Sequence, residues 1–487
     1  MSTQNAEDIK GTVAQTNEVP TMNTDIDEPV VVEVKTNKVR TDDVKDTASE
    51  ENADVSEFTR EVVEGLGKSV YLVDSDEDSG LDLFCYVKCS NTDSDLLKRC
   101  RGVAFHDQKL VLQAFPYTAE FNHEELPLLM DELQPFHHFR FFDSYEGALL
   151  RVFNFNGKWF LSTHRKLNAF RSKWASRDSF GTHFKKALTA ELEHNKALKA
   201  VVPDGDNVLD RFYTILDPTK QYMFLVLNGQ DNRIVCLPPD RPMMFHVGTF
   251  VNGKLDLDDE FPMAKPNEHK WLNIDEMIAH VKNVDIRYLQ GIICFGPDNT
   301  QIKVFNKDYQ DLFRARGNEP SIKFRYLQVR MNKRFTNMLY TLYPSQGPVF
   351  DDYENTLFDV ARTIYRSYVQ RFIKKNYVTV PREEFQVIKA CHNWHLENRT
   401  ENRISLDKVI SVLNNQPPTA LNRMIRRFKT EQAKKKDQQG ELRFPRSHKG
   451  SAQNSPAVCP TDGTPITSPL LLAKNSANLP PPPKLEM

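Results

Sequence analysis

Apolar residues fall along this chain in two different rhythms. From about residue 58 to 345 they come in short runs broken by turns. The runs at 102–105, 109–112, 148–153 and 158–162 read as strands. Asn156-Gly157 separates the last two, which is a strong two-residue hairpin signal. Residues 222–227 with 233–236, and 291–295 with 301–305, read as two further strand pairs. Helical spacing falls between them, at 182–198 and 274–282. From about 350 to 430 the rhythm becomes helical, over 357–374, 406–413 and 420–428, with Pro381-Arg382-Glu383-Glu384 marking a helix start. The pattern predicts an α+β protein, with an antiparallel-rich domain over 58–345 and a helical C-terminal domain over 346–432.

Both ends lack this patterning. Residues 1–57 are rich in Thr, Asp, Glu and Asn, and only the stretch Pro29, Val30, Val31, Val32 is apolar. Such an acidic arm cannot bury a core and is expected to be disordered. Residues 433–487 begin with Lys434, Lys435 and Lys436 and nearly end in Pro480 to Pro483. They are expected to form a disordered basic, Pro-rich tail with polyproline character near its end.

Composition adds a few limits. The chain has 487 residues, enough for two or three domains. Its formal net charge of −2 excludes a uniform polycation built for nucleic acid, although local basic blocks remain. Nearly all of the 31 phenylalanines and 15 tyrosines lie between the two tails, so the core should be aromatic-rich. The first residues are polar and acidic, unlike a secretory signal. No apolar run approaches the roughly 18–20 residues of a membrane span. The seven cysteines therefore read as free thiols in a reducing compartment, and the expected location is cytoplasmic.

Four elements then follow in order. The first is Arg101-Gly102-Val103-Ala104-Phe105, trailed by Phe115-Pro116-Tyr117 and Phe121-Asn122. The second is Glu146-Gly147-Ala148-Leu149-Leu150, with Ser162-Thr163-His164-Arg165-Lys166 after the hairpin. The third is the strand at 222–227, with Asn232-Arg233-Ile234-Val235 beyond it. The fourth is Gln290-Gly291-Ile292-Ile293, a turn, and Ile302-Lys303-Val304-Phe305.

This order resembles the covalent nucleotidyltransferases, in particular the phage-type RNA ligases of tRNA repair, over roughly residues 80–310. Those enzymes carry an Arg-Gly strand, then Lys-x-Asp/Glu-Gly, a Phe-Glu strand, Glu-Gly-Ile/Val-Val and a final Lys-x-Lys. The segments at 162–174, 316–330 and 380–399 are also similar to a divergent ligase-like protein of large nucleocytoplasmic DNA viruses. The resemblance implies a nucleotidyltransferase (ligase-like) domain. It implies a nucleotide-binding set of Arg101, Glu146, Gly147 and Lys303. Host cytoplasm or virion would be the location if the chain is viral.

The departures decide the chemistry that the resemblance implies. In the family a lysine attacks the α-phosphate of ATP as a neutral amine and becomes lysyl-AMP. Here Ser144 occupies that position. The carboxylate of the Phe-Glu strand falls at Val226, the next one at Gln290, and the second lysine of the last motif at Phe305. No residue is thereby assigned as catalytic, although Glu146 and Lys303 are retained. Lys158, Lys166 or His164 would have to supply a relocated nucleophile, from a different approach. No resident cofactor is expected, ATP and Mg²⁺ being required only if the site is active.

Three basic stretches suit a polyanion. Arg165, Lys166, Arg171 and Lys173 are interleaved with Trp174. Arg316 and Arg325 sit in a second stretch with aromatic neighbours, and Arg423 to Lys436 holds a third. The bland alternative is a solvated helix face. Cys391 and His395 are four apart on a helix, yet no second ligand pair stands at zinc-like spacing, so no metal site is assigned. Three functions stay open: a catalytically degenerate ligase-fold protein that binds RNA or nucleotide, an active ATP-dependent RNA ligase with a rearranged site, and a scaffold that kept only the fold. RNA is the expected partner, with a protein partner through the helical domain or the tails, and no membrane.

Overall fold

The structure is a computed structural model and describes residues 58–441. The acidic arm at 1–57 and the tail beyond 441 lie outside the described residues. Through Lys429 the described residues form one compact unit. Thr430 begins a second, described only as far as Glu441.

Fourteen strands are present among the described residues. They are β1 (Val70–Asp76), β2 (Leu81–Tyr86), β3 (Arg101–His106), β4 (Lys109–Leu112), β5 (Ala119–Asn122), β6 (Arg140–Ser144) and β7 (Gly147–Phe155). Then come β8 (Lys158–Ser162), β9 (Lys220–Leu227), β10 (Met244–Val251), β11 (Lys254–Asp256), β12 (Glu268–His269), β13 (Gly291–Phe295) and β14 (Gln301–Phe305). They build a four-stranded sheet, β1-β2-β3-β4, and two five-stranded sheets, β11-β10-β9-β7-β8 and β12-β6-β13-β14-β5. Every named strand pairing is antiparallel except β14 with β5.

The two five-stranded sheets face each other across a shared apolar cluster. Phe142 and Phe295 come from one sheet, Met223 and Phe250 from the other, and Phe115 joins them. Each sheet buries its opposite face under helices. Leu150, Val152, Phe224 and Val226 pack against the helices Phe180–His194 and Val208–Tyr213. Phe141, Ile292, Cys294, Ile302 and Val304 pack against the helices Leu126–Glu132 and Ile274–Asn283. Because both faces are covered, the strands read as nearly continuous apolar runs. The four-stranded sheet joins this body through Leu81, Leu83 and Ala104, which meet Phe153 and Phe160.

Local signals are met in detail. Asn156 and Gly157 take φ values of +51° and +79°, and Phe155 pairs with Lys158, as a tight two-residue hairpin requires. The expected strand at 233–236 is a correction: that segment forms no strand. The partner of β9 on that side is β10. The side chain of Asn232 accepts from Gly229 N (2.8 Å), and Val235 N donates to Glu146 (2.8 Å). The chain then meets Pro238 and Pro239, which have no N–H for a ladder.

Helices continue from β14 to the end of the description. They are Lys307–Arg316, Ile322–Val329, Lys333–Leu342, Gly347–Tyr368, Arg382–Glu397, Leu406–Asn414 and Pro418–Glu441. The helical run therefore starts ahead of residue 346. Its last helix passes residue 432, because Glu431 to Lys436 are good helix formers. Tyr326, Phe350, Leu357, Ile364, Ile388 and Met424 share one core there. No helix among the described residues is long and apolar enough to cross a membrane.

Candidate functional site: a polar cavity between the two sheets

The pleat decides what reaches the space between the sheets. Side chains alternate along a strand, so Phe142 and Ser144 of β6 face inward, and Phe141 and Asp143 face outward. Lys303 of β14 faces inward between Ile302 and Val304, which lie in the outer core. A cavity of about 180 Å³ remains beside the apolar cluster. Arg101, Ser144, Gly147, Gln290 and Lys303 line it, with Phe115, Leu225, Ile293 and Phe295 on its apolar side.

Arg101 reaches the cavity from β3. The next residue, Gly102, has φ +75°, and a Cβ there would lie 2.5 Å from His164 Cα. Only glycine permits that approach of two backbones, and it brings β3 against the turn after β8. Arg101 Nη1 donates to Pro116 O (3.3 Å) and Thr118 Oγ1 (3.4 Å). Gly291 allows a similar approach, since a Cβ would lie 2.1 Å from Val304 O.

A chain of hydrogen bonds leads from the cavity into the body of the fold. Gln290 Oε1 accepts from Ser144 Oγ (3.0 Å) and Lys303 Nζ (3.2 Å). Gln290 Nε2 donates to Tyr309 OH (2.8 Å), which donates to Glu146 Oε1 (2.9 Å). Burial pushes the Lys303 ammonium below its ordinary pKa, opposed by the Glu120 carboxylate and reinforced by Arg101. Burial pushes the Glu146 carboxyl up, against the hydrogen bonds from Val235 N and Tyr309. The Tyr309 hydroxyl is held well above its ordinary value, by burial first and by Glu146 next.

Of the positions marked by the sequence, Arg101, Ser144, Gly147, Gln290 and Lys303 converge on the cavity. Glu146 lies two residues beyond Ser144, turned toward Val235 and Tyr309. Val226 does not converge. It lies on the outer face of β9, in the core under the helix Phe180–His194. Its neighbour Leu225 faces the cavity instead. The three candidates for a relocated nucleophile lie elsewhere. Lys158 Nζ pairs with Asp76 (2.8 Å), Lys166 Nζ pairs with Asp74 (3.1 Å), and His164 is exposed in the turn after β8. The amines that line the cavity are Lys265 and Lys303.

The basic residues separate into two kinds. Arg171 and Lys173 are exposed, whereas Arg165 and Lys166 are partly buried. Arg316 is 2% exposed, bonded to Tyr343 OH (2.8 Å) and Glu319 O (2.5 Å) and stacked near Trp174. Arg325 donates to Arg314 O (2.7 Å) and Ala315 O (3.0 Å), closing the end of the helix Lys307–Arg316. These last two arginines hold the fold together and are not presented to solvent as a pair. Cys391 is buried, and His395 Nδ1 bonds Asn402 O (2.7 Å).

The cavity does not fit a resident Mg²⁺. Asp143 is the acidic residue among those that line it, but its carboxylate is turned outward and engaged at both oxygens, by His269 Nε2 (2.8 Å) and Asn267 Nδ2 (2.9 Å). Magnesium demands oxygen ligands in near-octahedral array, which this lining does not supply.

No protein-family model matches the chain. It is similar to the "Immediate-early protein ICP-46 homolog" of Invertebrate iridescent virus 6, at 27% identity over 373 residues, 71% of this chain and 80% of that one. The ICP-46 protein of Frog virus 3 is 26% identical over 203 residues, 39% of this chain and 49% of its own. An inferred bifunctional polynucleotide kinase/RNA ligase of Autographa californica nuclear polyhedrosis virus is 21% identical over 230 residues, 44% of this chain and 30% of its own. Among solved structures, an archaeal ATP-dependent RNA ligase superposes with a TM-score of 0.34 at 11% identity, covering 59% of this chain and 69% of its own.

Proposed function

We propose that this chain is an RNA-ligase-like nucleotidyltransferase-fold protein whose cavity binds a nucleotide or an RNA end without forming the covalent adduct. One observation carries the reading. Arg101, Ser144, Gln290 and Lys303, distant in sequence, meet in one cavity, and the position that the resemblance gives to the attacking amine is Ser144. A serine hydroxyl whose hydrogen bond goes to a glutamine oxygen and not to a base is a poor nucleophile at neutral pH. The remaining groups are suited to binding. Arg101 and Lys303 offer positive charge to phosphate, and Phe115 and Phe295 offer an apolar wall to a base. Drug-sized ligands usually occupy about 300–1,000 Å³, so the cavity takes one part of a nucleotide while the rest extends outward.

The direct test is incubation of the full chain with magnesium and ATP radiolabelled at the α-phosphate, followed by denaturing electrophoresis. The expected result is no labelled protein, together with saturable ATP or RNA-end binding by the native protein. A labelled band overturns the reading, and so does the absence of any binding at low salt.

A second reading is favoured by the Lys303 amine, which faces the cavity with a lowered pKa. In it the neutral Lys303 nitrogen attacks the α-phosphorus. An N–P bond forms, the bond to pyrophosphate breaks, and the amine loses a proton. Mapping of an AMP adduct to Lys303 would establish this reading in place of the first.

A further inference from the structure

The outer face of the same sheet carries a second cluster. Asp143 of β6, His269 of β12 and His280 of the helix Ile274–Asn283 each bring one ligand atom to a common point, all within 4.8 Å of one another. His269 Nε2 lies 2.8 Å from Asp143 Oδ1, and His280 Nε2 lies 3.8 Å from the same oxygen. Donors about 2.0–2.1 Å from a tetrahedral zinc ion are about 3.3 Å apart, which falls between these two separations. Closing on an ion would open the first separation by about half an ångström and close the second by about as much.

The supports around the three residues are those that a metal site needs. Asn267 Nδ2 holds the other oxygen of Asp143 at 2.9 Å, which fixes the plane of the carboxylate. The β6–β12 ladder pairs Phe141 with His269 and sets the height of that ring. Trp271 stacks on His269 at 5.0 Å and 9° and meets His280 at 5.2 Å, so both imidazoles are held in place. A simple histidine–carboxylate hydrogen bond would explain Asp143 and His269 alone. It does not explain His280, whose Nε2 is buried, aimed at the same oxygen, and without a hydrogen-bond partner in the structure. A buried polar atom left unpaired is costly, and a cation between the three groups satisfies all of them.

We propose that Asp143, His269 and His280 bind one divalent first-row transition ion, zinc foremost, with the fourth position open to water. Two imidazoles and one carboxylate match borderline ions of that class and not the hard cations Mg²⁺ or Ca²⁺. The ion ties β12 and the outer helix to β6. The residue after Asp143 is Ser144, so metal occupancy fixes the height of the cavity wall from behind.

The test uses the full chain, stripped with a chelator and re-equilibrated with zinc alone. Bound metal is measured by mass spectrometry and by competition with a chromophoric chelator. One tightly bound zinc per chain is expected, and it is lost in His269→Ala and in His280→Ala. Asn267→Ala, which removes the group that orients Asp143, should weaken zinc affinity about 10–100-fold while leaving the ligands intact. Circular dichroism checks that each variant is folded, and His280→Gln replaces any variant that is not. Cobalt in place of zinc should give tetrahedral d–d bands without a thiolate charge-transfer band. A wild-type chain that retains no zinc overturns the proposal. Variants that bind as well as wild type, or a thiolate band from the cysteines, overturn it equally.

Discussion

The cations of the cavity and those of the helical region are used in opposite ways. In the helices, several arginines meet carboxylates. Arg330 pairs with Glu354 at 2.5 Å, and Arg427 with Glu383 and Glu384 at 2.6 and 2.5 Å. In the cavity, the hydrogen bonds of Arg101 go to a carbonyl and a threonine, and that of Lys303 goes to a glutamine. A cation matched to a carboxylate is committed to holding the fold. A cation that lines a cavity and is held there by neutral groups keeps its charge available to an anion, at some cost in stability. The contrast supports the proposed ligand binding in the cavity and assigns these helical arginines to architecture.

The comparison breaks first, and hardest, on the helical side. Glu354→Ala leaves Arg330, whose side chain is 8% exposed, without its carboxylate. Because Glu354 is itself 38% exposed and Arg330 keeps Asn414, the expected loss is about 1.5–3 kcal/mol of stability in urea unfolding, with ligand affinity of the folded protein unchanged. In the cavity the pattern should reverse. Lys303→Ala should weaken nucleotide or phosphate binding by tenfold or more in titration calorimetry, because a charged hydrogen bond is worth about 1.5–3 kcal/mol. Its unfolding midpoint should move little.

Glu146 sharpens the comparison through pH. Its carboxyl is raised above the ordinary 4.5, so between 4.5 and the raised value the folded state holds more protons than the unfolded state. Stability from this group is therefore full below 4.5 and falls as pH rises through the folded value. Glu146→Gln should flatten that decline in unfolding curves recorded from acid to neutral pH. The smallest effect belongs to the exposed pair Arg171 and Lys173. Replacing both with alanine should change stability by no more than about 0.5 kcal/mol. If RNA crosses this surface, the same change should reduce the salt dependence of binding.

Much of this was legible in the sequence, and the losses have physical causes. The Asn156-Gly157 hairpin and the strand pair β13–β14 are local features, set by turn chemistry and a few apolar residues. Arg101, Ser144, Gln290 and Lys303 were found together through the order of motifs, although nothing local says they touch. Val226 was missed by one residue, because a strand buried on both faces gives no alternation from which to read its phase. Residues 233–236 look like a strand from Ile234 and Val235. Their hydrogen bonds are claimed by Glu146 and Tyr343, from far away in the chain. Asp143, His269 and His280 carried no signal at all, since a ligand set drawn from one strand and two later elements has no fixed spacing.

The hydrogen-bond chain behind Lys303 does not stop at Glu146. Val235 N is held by that carboxylate, while the neighbouring carbonyls of Arg233 and Ile234 accept from Tyr343 OH at 2.8 and 2.7 Å. Arg316 Nε in turn donates to the same hydroxyl at 2.8 Å. The loop from Asn228 to Cys236 is thus gripped by the cavity on one side and by the helices on the other. Lys303, Gln290, Tyr309, Glu146, the backbone at 233–235, Tyr343 and Arg316 form one continuous hydrogen-bonded path from the cavity wall to the helical region.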